Sequence, residues 1–255
     1  MSVEGFRLVN MNDSPANKFI AAIVIVAAPF ALGAFFMAWS PAGQYELTDP
    51  RNDGYVQPRD VGGLVAHTQR STVMVNCEVP GKESLGSAWA VKLEEKKYAG
   101  YGKVFITNHH VVEDCIGKEK YLSVHRLFAK DHSARIITLD KKNDLAVIVS
   151  DLQIPVLKLS QYMPSPGYWT MVVGSADGYQ GSVAFGSVLN INSSEVLITA
   201  NASHGNSGGP VVDNEGNVVG TLTQTVIGEQ YNVAKSLDAM CAKILKCDGK
   251  YFWKE

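Results

Sequence analysis

The feature that most constrains this chain is a repeated pattern of short apolar runs, rich in β-branched residues, which alternate with clusters of turn-forming residues. The runs cover residues 71–75, 86–91, 103–108, 122–128, 134–139, 145–150, 169–175, 181–191, 194–200, 209–213 and 217–226. Many short strands at this spacing indicate an all-β sandwich or barrel rather than alternating βαβ units. We therefore expect an all-β fold from about residue 64 onward.

One helix is predicted near the end of the chain. Residues 236–247 have helical spacing, with Ser236 as a plausible N-cap and Gly249 just beyond the last turn. The apolar side chains that would share one side of this helix are Leu237, Met240, Cys241, Ile244 and Leu245.

An apolar segment near the N-terminus has the length of a membrane span. Residues 19–39 carry no charge, and about 20 apolar residues cross a bilayer as a helix. A cleaved signal peptide is the alternative, because residues 40–42 (Ser-Pro-Ala) resemble a cleavage site, but the run exceeds the usual ~7–15 residues of a signal core. The sequence predicts a tail at 1–18, an uncleaved transmembrane helix at 19–39 and a tether at 40–63.

Charges that flank this segment do not orient it, because Arg7 and Lys18 precede it while Arg51 and Arg59 follow it. The short N-terminal tail and the four cysteines favour a folded part that lies outside the cytoplasm. We expect a single-pass membrane protein whose folded part is extracytoplasmic, either periplasmic or extracellular.

Composition narrows the range of partners. The 23 basic and 25 acidic residues give a net charge of −2 without a basic stripe, so a nucleic-acid partner is not expected. No Cys/His grouping has the spacing of zinc ligands, and neither a metal nor another cofactor is expected. No pattern in the sequence indicates an oligomeric state.

A glycine-rich turn supplies a candidate nucleophile. Ser207 stands in the run 205–210 (Gly-Asn-Ser-Gly-Gly-Pro), directly before an apolar strand candidate. Acyl transfer requires a nucleophile beside converging backbone N–H groups, and glycines permit the tight turn that brings these groups together. An ordinary glycine-rich loop is the alternative interpretation of this motif taken alone.

Two further residues complete a possible catalytic set. His110 follows the strand candidate 103–108, and Asp144 opens the strand candidate 145–149. A catalytic serine requires an imidazole to accept its proton and a carboxylate to orient that imidazole. The chain order His, Asp, Ser is the order of the chymotrypsin-like arrangement.

These motifs resemble the trypsin-like peptidases of the bacterial high-temperature-requirement (HtrA/Deg) family. That family carries T-N-x-H-V, D-L-A-[VL]-[IL] and G-N-S-G-G in this order, and the chain has them at residues 107–111, 144–148 and 205–209. Residues 136–140, 186–188 and 217–220 are also similar to the family, so the likeness spans about residues 71–245. Three motifs in the correct order are far more specific than one.

The resemblance implies two six-stranded antiparallel β-barrels of the chymotrypsin type, with the C-terminal helix packed on their outside. The transmembrane helix predicted from the apolar run would precede them. Residues 64–155 would form the first barrel, with His110 and Asp144, and residues 156–255 would form the second barrel, with Ser207, and the helix. The family usually carries PDZ domains after the protease. Few residues follow the predicted helix, so we expect none here.

The family pattern also implies a role for each residue. Ser207 would be the nucleophile, His110 the base and Asp144 its orienting carboxylate, while the backbone N–H groups of Gly205 and Ser207 would form the oxyanion hole. His109 does not occupy the imidazole position of T-N-x-H-V, and we expect it to be partly exposed and not catalytic.

Substrate-pocket residues follow from the same layout. Asn201, six residues before the nucleophile, would lie at the base of the primary pocket, with Leu222 in its wall and His204 at its entrance. None of these side chains is acidic, so the resemblance implies small or medium uncharged side chains in the substrate rather than Lys or Arg.

Cys77 and Cys115 bracket the strand and turn that carry His110, and other chymotrypsin-like enzymes hold this loop with a disulfide. Cys241 and Cys247 would lie on different faces of a continuous helix, unless the helix ends between them. Four cysteines allow three pairings, and four buried thiols remain the alternative.

Together these features predict a membrane-anchored serine endopeptidase that acts on polypeptide substrates. The alternative is a catalytically silent binding or chaperone module on a protease fold at the membrane. A protease that releases itself by cleavage within residues 40–63 is a third possibility.

Overall fold

The computed structural model describes residues 53–93, 98, 100–126, 129–225 and 230–253. Within these residues the chain forms twelve β-strands and three α-helices, with two 3₁₀ turns at Glu113–Cys115 and Glu119–Tyr121. The helices are α1 Val61–Arg70, α2 His109–Val112 and α3 Leu237–Met240. The strands are β1 Thr72–Val79, β2 Lys82–Val91, β3 Lys103–Thr107, β4 Leu122–His125, β5 His132–Asp140, β6 Leu145–Ser150, β7 Trp169–Ala176, β8 Tyr179–Ile191, β9 Glu195–Ile198, β10 Pro210–Val212, β11 Val218–Thr225 and β12 Asn232–Ser236.

The strands close into two six-stranded barrels. The order of neighbouring strands is β1-β2-β3-β6-β5-β4 in the first barrel and β7-β8-β9-β12-β11-β10 in the second, so the second barrel repeats the topology of the first. All pairs within both barrels are antiparallel. The predicted pair of chymotrypsin-like barrels is confirmed.

Alternation along the strands gives the wall of the first barrel two buried faces. On β3, Phe105 belongs to the core of the first barrel, whereas Ile106 belongs to the core that continues into the second barrel. Trp89, Ile106 and Val147 lie opposite one another across β2, β3 and β6. Trp89 donates a hydrogen bond from its indole N–H to the Thr221 hydroxyl on β11, at 3.0 Å. This shared apolar layer therefore fixes the two barrels against each other.

The predicted C-terminal helix is present but short. Ser236 caps it, since the Ser236 hydroxyl accepts a hydrogen bond from the Ala239 N–H at 3.0 Å, as predicted. The α-helix ends at Met240 rather than continuing to residue 247. A disulfide joins Cys241 to Cys247 and brings their Cα atoms to 5.4 Å, whereas six residues of continuous helix would separate them by about 9 Å. The disulfide and a longer helix are therefore incompatible.

A second disulfide, Cys77–Cys115, ties β1 to the turn that follows α2. The chain therefore has the pairing that the family resemblance implied for the loop bearing His110.

Helix α1 lies across the boundary predicted at residue 64. Asp60 caps it by accepting a hydrogen bond from the Gly63 N–H at 2.7 Å. Two glycines in its first turn lower its helix propensity, so its residues do not predict a helix. The predicted anchor at 19–39 lies outside the described residues, and within the described part no helix is long and apolar enough to span a bilayer.

The segment that contains α1 binds the second barrel before the chain enters the first. Trp169, at the start of β7, donates its N–H to the Gly54 carbonyl at 2.7 Å. Farther along, the Gln69 side-chain amide donates to the Gly181 carbonyl on β8, also at 2.7 Å. Residues 54–69 therefore form a strap across the second barrel.

Candidate active site

His110 lies on α2, the single helical turn that follows β3. Four of the five residues of β3 are buried, so the end of the strand is held firmly in the first barrel. The Asn108 side chain ties this turn to the loop before β6, because its amide donates to the Asp144 carbonyl at 2.8 Å. The His110 side chain is 46% exposed. His109 is buried, and the expectation that it would be partly exposed is wrong.

Asp144 holds His110 through both carboxylate oxygens. Oδ2 lies 2.7 Å from the His110 Nδ1, and Oδ1 accepts a hydrogen bond from the His110 backbone N–H at 3.0 Å. Asp144 has a φ of +51°, in the left-handed region, which a short polar residue tolerates better than most. This two-point contact fixes the carboxylate relative to the imidazole ring.

The environment of Asp144 favours its ionised form. Burial of the carboxyl group raises the pKa, but hydrogen bonds from the His110 ring, the Thr223 hydroxyl and the His110 backbone lower it by more, so the pKa of Asp144 lies below its ordinary value of 3.8. An ionised carboxylate only accepts hydrogen bonds. The proton between the two groups therefore belongs to the His110 Nδ1, which leaves Nε2 as the nitrogen able to accept a proton.

Thr223 connects this pair to Ser207. The Thr223 hydroxyl, on β11 of the second barrel, donates to the Asp144 Oδ2. The Thr223 carbonyl accepts from the Ser207 hydroxyl at 3.4 Å. One residue of the second barrel therefore contacts two of the three predicted catalytic residues. The motif comparison missed Thr223, and its only sequence signal is a hydroxyl side chain among the alternating positions of β11.

Ser207 lies on a turn that requires glycine at positions 205 and 208. Gly205 and Gly208 both have a φ of +86°, and a β-carbon at either position would lie about 2 Å from a backbone oxygen, Ser175 O at 2.2 Å and Ser87 O at 2.1 Å. The Asn206 N–H closes the turn on the Ser203 carbonyl at 3.2 Å. Both positive φ angles and close backbone contacts explain the glycines of the motif.

The backbone N–H groups of Gly205 and Ser207 are free of hydrogen bonds to any described residue. The His204 carbonyl accepts from the Asp177 N–H at 2.7 Å, which fixes the peptide that carries the Gly205 N–H. In a trans peptide the N–H points away from the carbonyl. The Gly205 N–H is therefore directed away from Asp177 and is available to a ligand.

The predicted pocket residues fall into two groups. Asn201 and His204 are exposed, whereas Leu222 is buried in the core of the second barrel. The Leu222 backbone pairs with the glycine-rich turn at 205–210, accepting from the Gly208 N–H at 2.7 Å and donating to the Gly209 carbonyl at 2.9 Å. Leu222 thus lies directly behind the turn, and its contribution to a pocket stays a prediction.

Comparison with known proteins identifies the family. The family model of the trypsin-like peptidase domain matches residues 86–220, which is more than half of the chain. The chain belongs to this family. The region matched in this trypsin-like peptidase contains His110, Asp144 and Ser207.

Curated relatives of this trypsin-like peptidase match over part of their length. A "Probable periplasmic serine endoprotease DegP-like" of Chlamydia muridarum is 36% identical over 134 residues, covering 48% of this chain and 26% of that protein. "Serine protease HTRA1" of Xenopus laevis is 32% identical over 138 residues, covering 48% of this chain and 29% of that protein. The HtrA/Deg resemblance is confirmed, although the chain spans only about a quarter of the length of these relatives.

Solved structures of low sequence identity share the fold of this trypsin-like peptidase. A serine endoprotease from Yersinia pestis is 21% identical, with a TM-score of 0.62 over 74% of this chain and 66% of that one. A protease from Mycobacterium tuberculosis in its active form is also 21% identical, with a TM-score of 0.60 over 74% of this chain and 88% of that one.

Proposed function

We propose that this chain is a serine endopeptidase that hydrolyses peptide bonds in polypeptides through an acyl-enzyme. His110, Asp144 and Ser207 form its catalytic triad in this proposal. The observation that carries it is the chain of contacts in which Asp144 binds His110 at two points and Thr223 joins Asp144 to Ser207. Membership of the trypsin-like peptidase family supports the same activity.

The chemistry follows from the protonation of this site. Ser207 Oγ attacks the scissile carbonyl while His110 Nε2 accepts its proton, and the ionised Asp144 holds the ring in the required tautomer and stabilises the imidazolium. His110 then gives the proton to the leaving amine. Water attacks the acyl-enzyme with His110 again as the base, which releases the second product and restores the Ser207 hydroxyl.

The oxyanion that develops in each step requires donors that are already in position. The free N–H groups of Gly205 and Ser207 are the donors in this proposal. Loss of one such donor typically costs about 10²–10³ in turnover, so the geometry of the turn contributes as much as the side chains.

The substrate side chain that enters the primary pocket is small or medium and uncharged in this proposal. Asn201 and His204 bring no negative charge to the exposed surface beside the turn. A pocket that binds Lys or Arg would instead require a carboxylate at its base.

We place the protease domain outside the cytoplasm, anchored by residues 19–39. Two disulfides agree with an oxidising compartment. The relatives from Chlamydia carry the word periplasmic in their names. The anchor itself rests on the apolar run in the sequence.

The test is cleavage of a fluorogenic peptide library together with labelling by a fluorophosphonate, which reacts only with an activated serine. Wild type should cleave and label, Ser207→Ala should do neither, and His110→Ala should lose nearly all turnover. His109→Ala is the neighbouring control, and its folded fraction should retain turnover. A well-folded wild type that neither cleaves nor labels would favour a silent binding module instead.

A further inference from the structure

Ser87 is a buried side chain that contacts the nucleophile turn from the opposite barrel. It lies on β2 of the first barrel and is 0% exposed. Its hydroxyl donates to the Gly205 carbonyl at 2.7 Å, and its backbone N–H donates to the Ser207 carbonyl, also at 2.7 Å. Its own carbonyl accepts from the Thr107 hydroxyl at 2.7 Å. Ser87 therefore binds the turn at two points and is itself held at a third.

These two bonds fix the peptides that flank the free donors. Gly205 has no side chain, so its backbone rotates more easily than that of a residue with a β-carbon. The bond from the Ser87 hydroxyl to the Gly205 carbonyl fixes the peptide that follows Gly205. The bond to the Ser207 carbonyl does the same for the peptide that follows Ser207. Ser87 therefore holds the carbonyl group of each of the two residues whose N–H is free.

The same serine also connects the turn to the base. Thr107 is the last residue of β3, the strand that leads into α2 and His110. Because Thr107 holds Ser87 and Ser87 holds the turn, the position of the turn is set relative to the strand that carries the base. We propose that Ser87 is a positioning residue for the oxyanion hole, an inference that rests on the proposed peptidase activity.

A purely structural role is the competing interpretation, because buried serines commonly bond to a carbonyl. The chain offers a matched control for this. Ser150 is 5% exposed, lies on β6 of the same barrel and donates its hydroxyl to the Ser133 carbonyl at 2.8 Å. Ser150→Ala removes the same kind of bond as Ser87→Ala, but Ser150 makes no contact with the nucleophile turn among the described residues.

The experiment compares Ser87→Ala with Ser150→Ala in the full chain, using a fluorogenic peptide that the wild type cleaves. Complete loss of an oxyanion donor costs about 10²–10³ in turnover, and a displaced donor should cost less, so we expect kcat to fall about 10–100-fold in Ser87→Ala. KM should change little, because the interaction is made in the transition state. Inhibition by a peptide aldehyde, whose hemiacetal oxygen occupies the hole, should weaken by a similar factor. Ser150→Ala should leave both quantities at wild-type values.

Protein that fails to fold would not decide the question, so Ser87→Cys is measured in parallel. A thiol has nearly the shape of the hydroxyl but is a weak donor, and kcat should again fall while thermal unfolding stays close to that of wild type. Equal kcat values for folded Ser87 variants and Ser150→Ala would overturn the positioning role and leave the peptidase intact.

An inactive wild type would instead refute the proposed function, and a measurement without turnover then decides the role of Ser87. The Asn206 N–H closes the turn on Ser203, and its hydrogen exchange should be faster in Ser87→Ala than in Ser150→Ala. Equal exchange rates would refute the clamp on the turn.

Discussion

Replacing Thr223 by Val removes the hydroxyl that donates to Asp144 while keeping the size of the side chain. Thr223 is 7% exposed, and the Asp144 side chain is 28% exposed, so water replaces the lost donor poorly. A hydrogen bond to a charged group contributes about 1.5–3 kcal/mol. The Asp144 carboxylate keeps both bonds from His110, so we take the lower end, about 1.5 kcal/mol, as the loss in unfolding free energy. Only the part of this energy that is gained in the transition state affects the rate, so kcat/KM should fall by at most about tenfold.

The stability of this variant should depend on pH in a defined direction. The folded pKa of Asp144 is below its ordinary value of 3.8, so its ionisation stabilises the wild type above that value, and this stabilisation is lost as the pH falls through the lowered folded pKa. Loss of the Thr223 donor raises the folded pKa towards 3.8. The difference in unfolding free energy between wild type and Thr223→Val should therefore be largest at neutral pH. It should shrink as the pH falls below the ordinary Asp144 pKa of 3.8.

The assay is urea unfolding of both proteins from neutral to acid pH, together with kcat/KM at neutral pH. Thr221→Val is the control, because Thr221 lies two residues away on β11 and its hydroxyl binds the neutral Trp89 indole rather than a carboxylate. This control should lose stability by the same amount at every pH and keep its turnover. A Thr223→Val protein with a pH-independent loss of stability, or with wild-type kcat/KM, would refute the role given to the Thr223 hydroxyl.

Two further changes test the triad and the anchor. Asp144→Asn should lower turnover by up to ~10⁴ at neutral pH, since the amide favours the wrong tautomer of His110, and a loss below about tenfold would point to another carboxylate. Deleting residues 1–40 should give a protein that no longer sediments with membranes after carbonate extraction but keeps the kcat/KM of the full chain. Membrane association that survives this deletion would place the anchor elsewhere.

The strand pattern could be predicted because buried strands carry β-branched and apolar residues at regular spacing. Each predicted run coincides with a strand. The strand that was missed, Asn232–Ser236, alternates buried and half-buried positions but contains Asn, Lys and Ser, so its composition resembles that of a loop. The end of α3 was also mispredicted, because helical spacing continues past Met240 while the Cys241–Cys247 disulfide bends the chain.

The candidate site was predicted only where its residues belong to motifs. His110, Asp144 and Ser207 stand in recognisable local strings, and the structure brings His110 to Asp144 and both Asp144 and Ser207 to Thr223. Thr223 and Ser87 have no such string around them. Their contacts join residues that are 79 and 118 positions apart, and Ser or Thr in a strand carries no local sign of such a partner.

The division of this site between two barrels has a consequence for synthesis. Chains emerge from the ribosome with the N-terminal part first, so the first barrel can close, with His110 beside Asp144, before Ser207 has been translated. The strap at residues 54–69 can form its hydrogen bonds to β7 and β8 only after those strands have been made. Thr223 contacts Asp144 only when the second barrel docks on the first. Until the second barrel is in place, the nascent chain therefore has the base His110 but no nucleophile positioned beside it. In the proposed mechanism, a newly made molecule cannot cleave itself or its neighbours before its own folding is complete.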